Sequence, residues 1–344
     1  MSNRLYFKTI IFILLTTWSC STEENNQKSI EIKESINSIL LADTDFNGVV
    51  LITQNDKVLF EKAIGYSSMA YKTPLEMTDE FVIGSISKQI TAVLVLKEIE
   101  AGRLDLNIPV AKYLEYTDYN FPWGDSVTIH HLLSHTHGIR EQGGPLSFVP
   151  GTQFQYSQIG YEILAEIIES VNEKSFAEIS MAFFENHGLK NTYHVYIQKP
   201  ENLVKGYVEE NEQLVFETNS LGNYVPAGSF ISNAYDLKLW NQLLFSGKLL
   251  KSASLEMMMK RYATRLHPIY GEVEYGYGLL YKKGEVNIQI GALGYAPGFV
   301  SASYFFPEKN INVIVLENVA RDLNDFKKTF AVHMDILKTI KNSK

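Results

Sequence analysis

The sequence of 344 residues contains a single cysteine, Cys20, and it has no excess of positive charge. One cysteine excludes an intrachain disulfide. The formal net charge of −8, without a stripe of lysine and arginine interleaved with aromatic residues, argues against nucleic-acid binding. Four of the eight histidines lie between 130 and 137, but they lack the H-E-x-x-H or Cys/His spacing of metal ligands. We therefore predict no metal and no cofactor.

Long apolar runs are also missing, and the run over residues 9–15 is too short for a stable membrane span. A basic segment precedes this run and small residues follow it, a pattern typical of a secretory signal. The segment that ends at Cys20 resembles the lipobox of bacterial lipoproteins, although Trp18 departs from the usual small or aliphatic residue. We expect a signal peptide over 1–19, a lipidated Cys20 with a disordered tether over 20–29, and an extracytoplasmic protein anchored to a bacterial membrane. The alternative is simple cleavage and secretion.

The segment F-V-I-G-S-I-S-K places Ser85 and Lys88 three residues apart, at the start of a predicted helix over residues 85–101 that Gly102 ends. Residues at this spacing share one face of a helix. A serine hydroxyl becomes a nucleophile when a nearby base takes its proton, and a lysine can be that base if burial lowers its pKa from about 10.4. The apolar residues that follow favour a buried helix over a solvated one.

Hydrophobic periodicity places strands near both ends of the chain and helices between them. Residues 48–54 and 57–61 flank Asn55-Asp56 and predict a β-hairpin. Further predicted segments are helices over 30–41, 157–171, 176–184, 234–245, 253–261 and 324–340, and strands over 277–282, 286–290, 299–306 and 311–316. This order suits an antiparallel sheet built from both termini, with a helical region inserted.

Two further stretches fit a site for serine acylation. Tyr156 precedes a predicted helix that Ser157 can cap, and a tyrosine near Ser85 and Lys88 can relay a proton to a leaving group. The stretch G-A-L-G-Y-A-P-G-F over 291–299 is predicted to connect two strands. A backbone N–H there can complete an oxyanion hole with the Ser85 N–H. The alternatives are a half-buried aromatic residue and an ordinary glycine turn.

Six segments carry a resemblance to a known family. They are G-S-I-S-K (84–88), L-D-L-N-I-P-V (104–110), T-I-H-H-L-L-S-H-T-H-G-I (128–139), P-G-T-Q-F-Q-Y-S-Q (150–158), P-A-G-S-F-I-S-N-A-Y-D-L (226–237) and G-Y-A-P-G-F (294–299). With them the chain resembles the class C beta-lactamase-like serine hydrolases, which include D,D-carboxypeptidases and esterases. The resemblance covers about 48–319, most of the chain after the signal.

The resemblance implies an α/β (α+β) fold of the beta-lactamase/transpeptidase type, in which helices flank an antiparallel sheet and an all-α lobe is inserted. It implies one domain over 30–344, with an α/β lobe at about 30–80 and 205–344 and a helical lobe at about 81–204.

The resemblance also implies roles for individual residues. Ser85 would be the nucleophile, Lys88 its base partner and Tyr156 the proton relay. Gly294 is the glycine of the third family motif, and the backbone N–H of Tyr295 would donate to the oxyanion.

Two positions depart from the family pattern. Gln158 stands where the second motif usually has asparagine, so its amide lies one methylene further out. Ala292 stands two residues before Gly294, where the third motif usually has lysine or histidine. The cation that would polarise the tyrosine or hold a substrate carboxylate is therefore missing from that position. His137 and Arg140 are the candidates to replace it.

We therefore expect a serine hydrolase that acts on an ester or amide, in a small-molecule or peptide substrate, through an acyl-enzyme on Ser85. A beta-lactamase or cell-wall D,D-peptidase is the alternative, and a lipid-anchored binding protein with weakened catalysis is the alternative from another class. Beta-lactams and D-Ala-D-Ala peptides carry a carboxylate that Ala292 cannot pair, so uncharged esters are the expected substrates. Nothing in the sequence indicates an oligomeric state.

Overall fold

A computed structural model describes residues 27–114, 121–196, 200, 202–218, 222, 224–285 and 288–343. Contacts divide these residues into two units. The first comprises 27–45 and 334–343, and the second comprises Phe46–His333. Cys20 and the predicted signal and tether lie outside the described residues, so those expectations stay predictions. Among the described helices, none combines the length and the apolar character needed to cross a membrane.

The described helices are short to medium in length, and most belong to the second unit. In chain order they are α1 (27–42), α2 (Ser87–Glu100), α3 (Ala111–Leu114), α4 (Ile129–Leu133), α5 (Ile159–Asn172), α6 (Phe176–Asn186), α7 (Ala234–Phe245), α8 (Ser252–Met259), α9 (Phe326–Thr329) and α10 (Ala331–Asn342). Helix α2 is buried almost all round, as its apolar sequence predicts. Gly102, with a φ of +74°, follows its C-terminus.

The strands form one large sheet and three small ones. In chain order they are β1 (Gly48–Gln54), β2 (Lys57–Ile64), β3 (Tyr66–Ser68), β4 (Thr73–Pro74), β5 (Phe81–Val82), β6 (Tyr207–Glu210), β7 (Gln213–Phe216), β8 (Ile231–Ser232), β9 (Ala263–His267), β10 (Gly271–Tyr275), β11 (Leu280–Lys282), β12 (Ile290–Ala296), β13 (Phe299–Phe306), β14 (Ile311–Glu317) and β15 (Val319–Ala320). In the described residues the large sheet has eight strands, in the order β2-β1-β14-β13-β12-β11-β10-β9.

Every neighbouring pair in the large sheet is antiparallel. Strands from the two ends of the chain meet where β1 pairs with β14, the second and third strands in this order. The predicted hairpin β1–β2 is confirmed: Asn55 and Asp56 both have positive φ, as a two-residue hairpin turn of this type requires. The antiparallel sheet built from both termini is therefore confirmed. The lobe boundaries near 80 and 205 stay predictions.

Three predicted elements differ from the structure around the candidate site. Ser85 lies in a 3₁₀ turn, Gly84–Ile86, and α2 begins only at Ser87. The stretch over 291–299 is not a connection between strands, because most of it is strand β12 itself and only its end turns into β13. Helix α5 begins one residue after Gln158, which occupies the N-cap position, but the Ser157 hydroxyl still accepts a hydrogen bond from the Gly160 N–H at 3.4 Å, as a capping serine does.

The remaining differences lie nearer the C-terminus. The helix predicted over 324–340 is two helices, α9 and α10, separated by Phe330. Strand β11 is shorter than predicted, and the strand predicted over 286–290 begins only at Ile290 among the described residues. The hairpin β9–β10 was not predicted, because edge strands of mixed polar and apolar residues give a weak periodic signal.

In the second unit, the 3₁₀ turn that carries Ser85 packs against strand β12 and a π-helical turn. The turn Gly84–Ile86 follows β5, precedes α2 and packs against β12. A π-helical turn, Val225–Ser229, packs against both α2 and α5. Ser301 Oγ on β13 donates to Ile83 O at 2.9 Å and fastens the turn to the sheet. The residues of the turn are thereby held at the junction of the sheet and the helices.

Candidate active site

Ser85 and Lys88 face each other although Ser85 precedes the helix. The Lys88 Nζ atom lies 3.3 Å from Ser85 Oγ. Lys88 is fully buried, whereas Ser85 is partly exposed and open to a substrate. The 3₁₀ turn and the first turn of α2 together preserve the i, i+3 contact that the sequence predicts.

The Lys88 amine is held by two carbonyl oxygens. Nζ lies 2.6 Å from Gln158 Oε1 at the start of α5 and 2.6 Å from the backbone oxygen of Ala227 in the π-helical turn. Gln158 thus keeps a contact to the lysine despite its extra methylene. Burial lowers the pKa of Lys88, because an ammonium group loses its hydration in the interior. This shift favours the neutral amine that a base requires.

Tyr156 completes a triangle of polar groups around the serine. Its hydroxyl donates to Ser85 Oγ at 2.7 Å, and Lys88 Nζ lies 4.7 Å from the centre of its ring. Burial alone raises the pKa of the Tyr156 phenol, but the charge of Lys88, hydrogen bonds to Lys88 and Ser85, and the charge of Arg265 outweigh it and lower the pKa. The structure thus brings Ser85, Lys88 and Tyr156 within hydrogen-bonding reach of one another.

The backbone of β12 approaches the 3₁₀ turn very closely. A Cβ atom on Gly84 would lie 2.5 Å from the Tyr295 nitrogen, and one on Gly294 would lie 2.2 Å from the Ile83 oxygen. Only glycine permits this approach at both positions. It brings the Tyr295 backbone nitrogen next to Gly84, the residue before Ser85, and so fits an oxyanion hole built from the N–H groups of Ser85 and Tyr295.

Replacing Gly84 with alanine is expected to lower kcat for an ester by about 10²- to 10³-fold, the usual cost of losing one oxyanion donor. The added methyl group would push β12 and the Tyr295 N–H away. The measurement is kcat on protein whose folding is verified by thermal unfolding. Gly102→Ala is the matched control, since Gly102 also has a positive φ but has nothing within 4 Å of its Cβ position. Equal losses of kcat in both variants would contradict the expectation.

A cation that the sequence reasoning missed lies beside the tyrosine. Arg265 on β9 places its Cζ 4.8 Å from the centre of the Tyr156 ring. Ala292 itself is buried in β12 and brings no charge. Arg265 was not found from the sequence because the hairpin β9–β10 was not predicted. In β9 the exposed Thr264 and Leu266 flank the partly buried Arg265, so the Arg265 side chain lies on the other face of the strand from theirs.

The two residues that the sequence offered as replacements for the cation lie in different environments. His137 packs against Gly160, its Nδ1 accepts from the Ile139 N–H at 2.9 Å, and burial lowers its pKa to about 4, so it is neutral at physiological pH. Arg140 is exposed. Of the three candidates, Arg265 is therefore the cation that the structure places against the ring of Tyr156.

The histidines near residue 130 support the site or the fold. His135 lies behind Tyr156, with ring centres 4.6 Å apart; its Nδ1 accepts from the Ser157 N–H and its Nε2 contacts the Tyr275 hydroxyl at 3.2 Å. Burial holds the pKa of His135 well below its usual range, so the ring is neutral. No group of three metal-ligating side chains occurs among the residues that the structure describes.

Comparisons with known proteins agree with this geometry. The family model described as Beta-lactamase matches residues 39–338. The "Putative penicillin-binding protein PbpX" of Bacillus subtilis (strain 168) is 25% identical over 315 residues, which cover 86% of this chain and 76% of that protein. "Penicillin-binding protein 4*" of the same strain is 28% identical over 325 residues, which cover 80% of this chain and 69% of that protein.

A solved structure of similar fold is that of D-amino acid amidase from Ochrobactrum anthropi SV3 in complex with D-phenylalanine. The two superpose with a TM-score of 0.78 at 20% identity, over 91% of this chain and 100% of that one. At this identity the similarity shows the fold alone, and it confirms the predicted beta-lactamase/transpeptidase-like fold. The family match covers most of the sequence, and the chain therefore belongs to the beta-lactamase family of serine hydrolases.

Proposed function

We propose that Ser85 is the nucleophile of this hydrolase, Lys88 its base and Tyr156 the relay that protonates the leaving group. The observation that carries the proposal is the position of Ser85 Oγ, 3.3 Å from Lys88 Nζ and 2.7 Å from the Tyr156 hydroxyl. A nucleophile within reach of its base and of the group that protonates the leaving group is the geometric requirement for acylation.

The contacts of Lys88 fit a base in its neutral form. An ammonium group has three N–H donors, whereas a neutral amine has two donors and one lone pair. The two short contacts, to Gln158 Oε1 and Ala227 O, use two donors. In the neutral amine the lone pair then remains for the Ser85 proton. Burial lowers the pKa of Lys88, which is the direction that favours this state.

In the proposed acylation, Lys88 accepts the proton of Ser85 and Tyr156 donates one to the leaving group. Ser85 Oγ bonds to the carbonyl carbon while its proton moves to Lys88 Nζ. The carbonyl oxygen takes up the negative charge, and the backbone N–H groups of Ser85 and Tyr295 stabilise it. Tyr156 gives its proton to the leaving oxygen or nitrogen as the bond to carbon breaks, and Lys88 returns a proton to Tyr156. Water repeats the sequence in reverse to release the acid.

We propose that the substrates are esters or amides with no carboxylate next to the scissile bond. Position 292 carries a buried alanine, so no side chain there can pair with a substrate carboxylate. Burying such a charge without a partner costs several kcal/mol. An uncharged ester needs only the oxyanion donors. The names of two relatives, both penicillin-binding proteins, favour the second candidate function, a beta-lactamase or D,D-peptidase.

The two candidates differ in their expected substrates. We expect kcat/KM for p-nitrophenyl acetate to exceed that for nitrocefin in the wild type. Ala292→Lys should raise the ratio of nitrocefin to ester turnover by about 10- to 100-fold, the effect of one charge-assisted hydrogen bond of roughly 1.5–3 kcal/mol. Ala292→Met, similar in length but uncharged, should not raise it. Efficient nitrocefin hydrolysis by the wild type would replace the ester proposal with the beta-lactamase one.

A further inference from the structure

Arg265 lies beside the candidate relay and, among the residues that the structure describes, has no counter-charge. It lies on edge strand β9 opposite Val273 of β10, on the face that carries the aromatic residues of the site. Its Cζ lies 4.8 Å from the ring centre of Tyr156 and 5.5 Å from that of Phe154. Its Nε is buried, and among the described residues the side chain has neither a hydrogen-bond partner nor an ion-pair partner.

The groups around Tyr156 are basic or neutral. Two basic side chains flank its ring, Lys88 from α2 and Arg265 from β9, and of these the guanidinium of Arg265 is the one that stays charged when Lys88 is the neutral base. Its other polar and titratable neighbours are Ser85 in the 3₁₀ turn, His135 after α4, Tyr161 in α5 and Tyr275 in β10. Glu162 of α5 acts on Lys88 from a distance, and its own pKa is raised by burial. No carboxylate of the described residues contacts the tyrosine.

We propose that Arg265 is a positioning residue that supports Tyr156 in place of the cation missing at position 292. The proposal rests on the proposed role of Tyr156 as the relay that protonates the leaving group. When Tyr156 gives up this proton, negative charge develops on the phenol. The guanidinium over the ring stabilises that charge, and its contact with the face of the ring holds the hydroxyl toward Ser85.

The effect of Arg265 on the rate should be largest for substrates whose leaving group must be protonated by Tyr156. A p-nitrophenolate leaves without one, whereas the nitrogen of an anilide must be protonated before it can leave. Removal of Arg265 should therefore reduce acylation by an anilide far more than acylation by a p-nitrophenyl ester. The charge of Arg265 also lowers the pKa of both Lys88 and Tyr156, so its removal should raise both.

The test compares kcat/KM of p-nitrophenyl acetate and p-nitroacetanilide as a function of pH. We expect Arg265→Gln to lower the anilide value by about 10- to 100-fold and the ester value by less than about 3-fold. Both limbs of the pH profile should move to higher pH. Arg265→Lys should restore part of the anilide rate, because it returns a cation to the ring. A thermal unfolding curve for each variant shows whether it is folded.

Arg261→Gln is the matched control, since Arg261 Cζ also lies 4.8 Å from the centre of a tyrosine ring, that of Tyr281. It should leave both rates and the pH profile unchanged. Equal losses for ester and anilide in Arg265→Gln, with an unmoved pH profile, would show a purely structural role and overturn the proposal. The proposal would also be overturned if Arg265→Gln only raised KM for carboxylate-bearing substrates such as nitrocefin, because Arg265 would then bind the substrate carboxylate. Wild-type anilide turnover by Tyr156→Phe would instead refute the proposed relay itself.

Discussion

Replacing Ser85 with alanine is expected to lower kcat for p-nitrophenyl acetate by at least about 10⁴-fold, because the loss of a nucleophile disables a catalytic unit whose members act together. The hydroxyl oxygen at this position lies 3.3 Å from Lys88 Nζ and 2.7 Å from the Tyr156 hydroxyl. The measurement is steady-state turnover together with labelling by a fluorophosphonate and peptide mapping of the adduct.

The label should attach to the peptide that contains Ser85 in the wild type and should be absent from Ser85→Ala. Ser246→Ala is a suitable control, because Ser246 is exposed at the end of α7 and should leave turnover and labelling unchanged. A labelled Ser85→Ala protein, or one with wild-type turnover, would place the chemistry at another residue.

Replacing Lys88 with methionine is expected to lower kcat by about 10³-fold or more, since general-base catalysis alone contributes about 10²- to 10⁴-fold. Methionine keeps much of the volume of the buried side chain but cannot accept the Ser85 proton. It also leaves Gln158 Oε1 and Ala227 O without their donor, at a cost of roughly 1–3 kcal/mol for each buried group. The measurement is kcat together with thermal unfolding, which separates the catalytic loss from the loss of stability.

Lys97→Met supplies the comparison on the same helix. Lys97 lies on α2 but is substantially exposed and pairs with Glu100 at 3.0 Å, so its loss should change stability by less than about 1 kcal/mol and kcat not at all. A Lys88→Met protein that still shows the wild-type acid limb in its pH profile would mean that the base is another group.

The parts of the fold that the sequence predicts are those with local causes. Asn55 and Asp56 adopt positive φ within one hairpin turn, and the contact between Ser85 and Lys88 spans only three residues. Such features depend on neighbours in sequence and therefore leave a readable pattern.

The parts that the sequence did not predict are set by contacts between distant segments. The Ala227 oxygen that holds Lys88 comes from a π-helical turn 139 residues further along the chain, and a backbone atom has no residue signature. Arg265 reaches Tyr156 only because β9 joins the edge of the sheet. The sequence shows that position 292 lacks the cation of the family motif, but it does not show that Arg265 on β9 lies beside Tyr156.

The pairing of β1 with β14 has a consequence for how the enzyme matures. Ile83, just before the turn that carries Ser85, accepts a hydrogen bond from Ser301, 218 residues later, and Tyr295 belongs to β12, two strands before β14 in the chain. Contacts of such long sequence separation form slowly, because the entropy of closing the loop must be overcome first. While the chain is being synthesised, Ser85 and Lys88 exist long before Tyr295 does. The nascent hydrolase therefore has its nucleophile without its complete oxyanion hole, and it remains inactive until nearly the whole chain is available to fold.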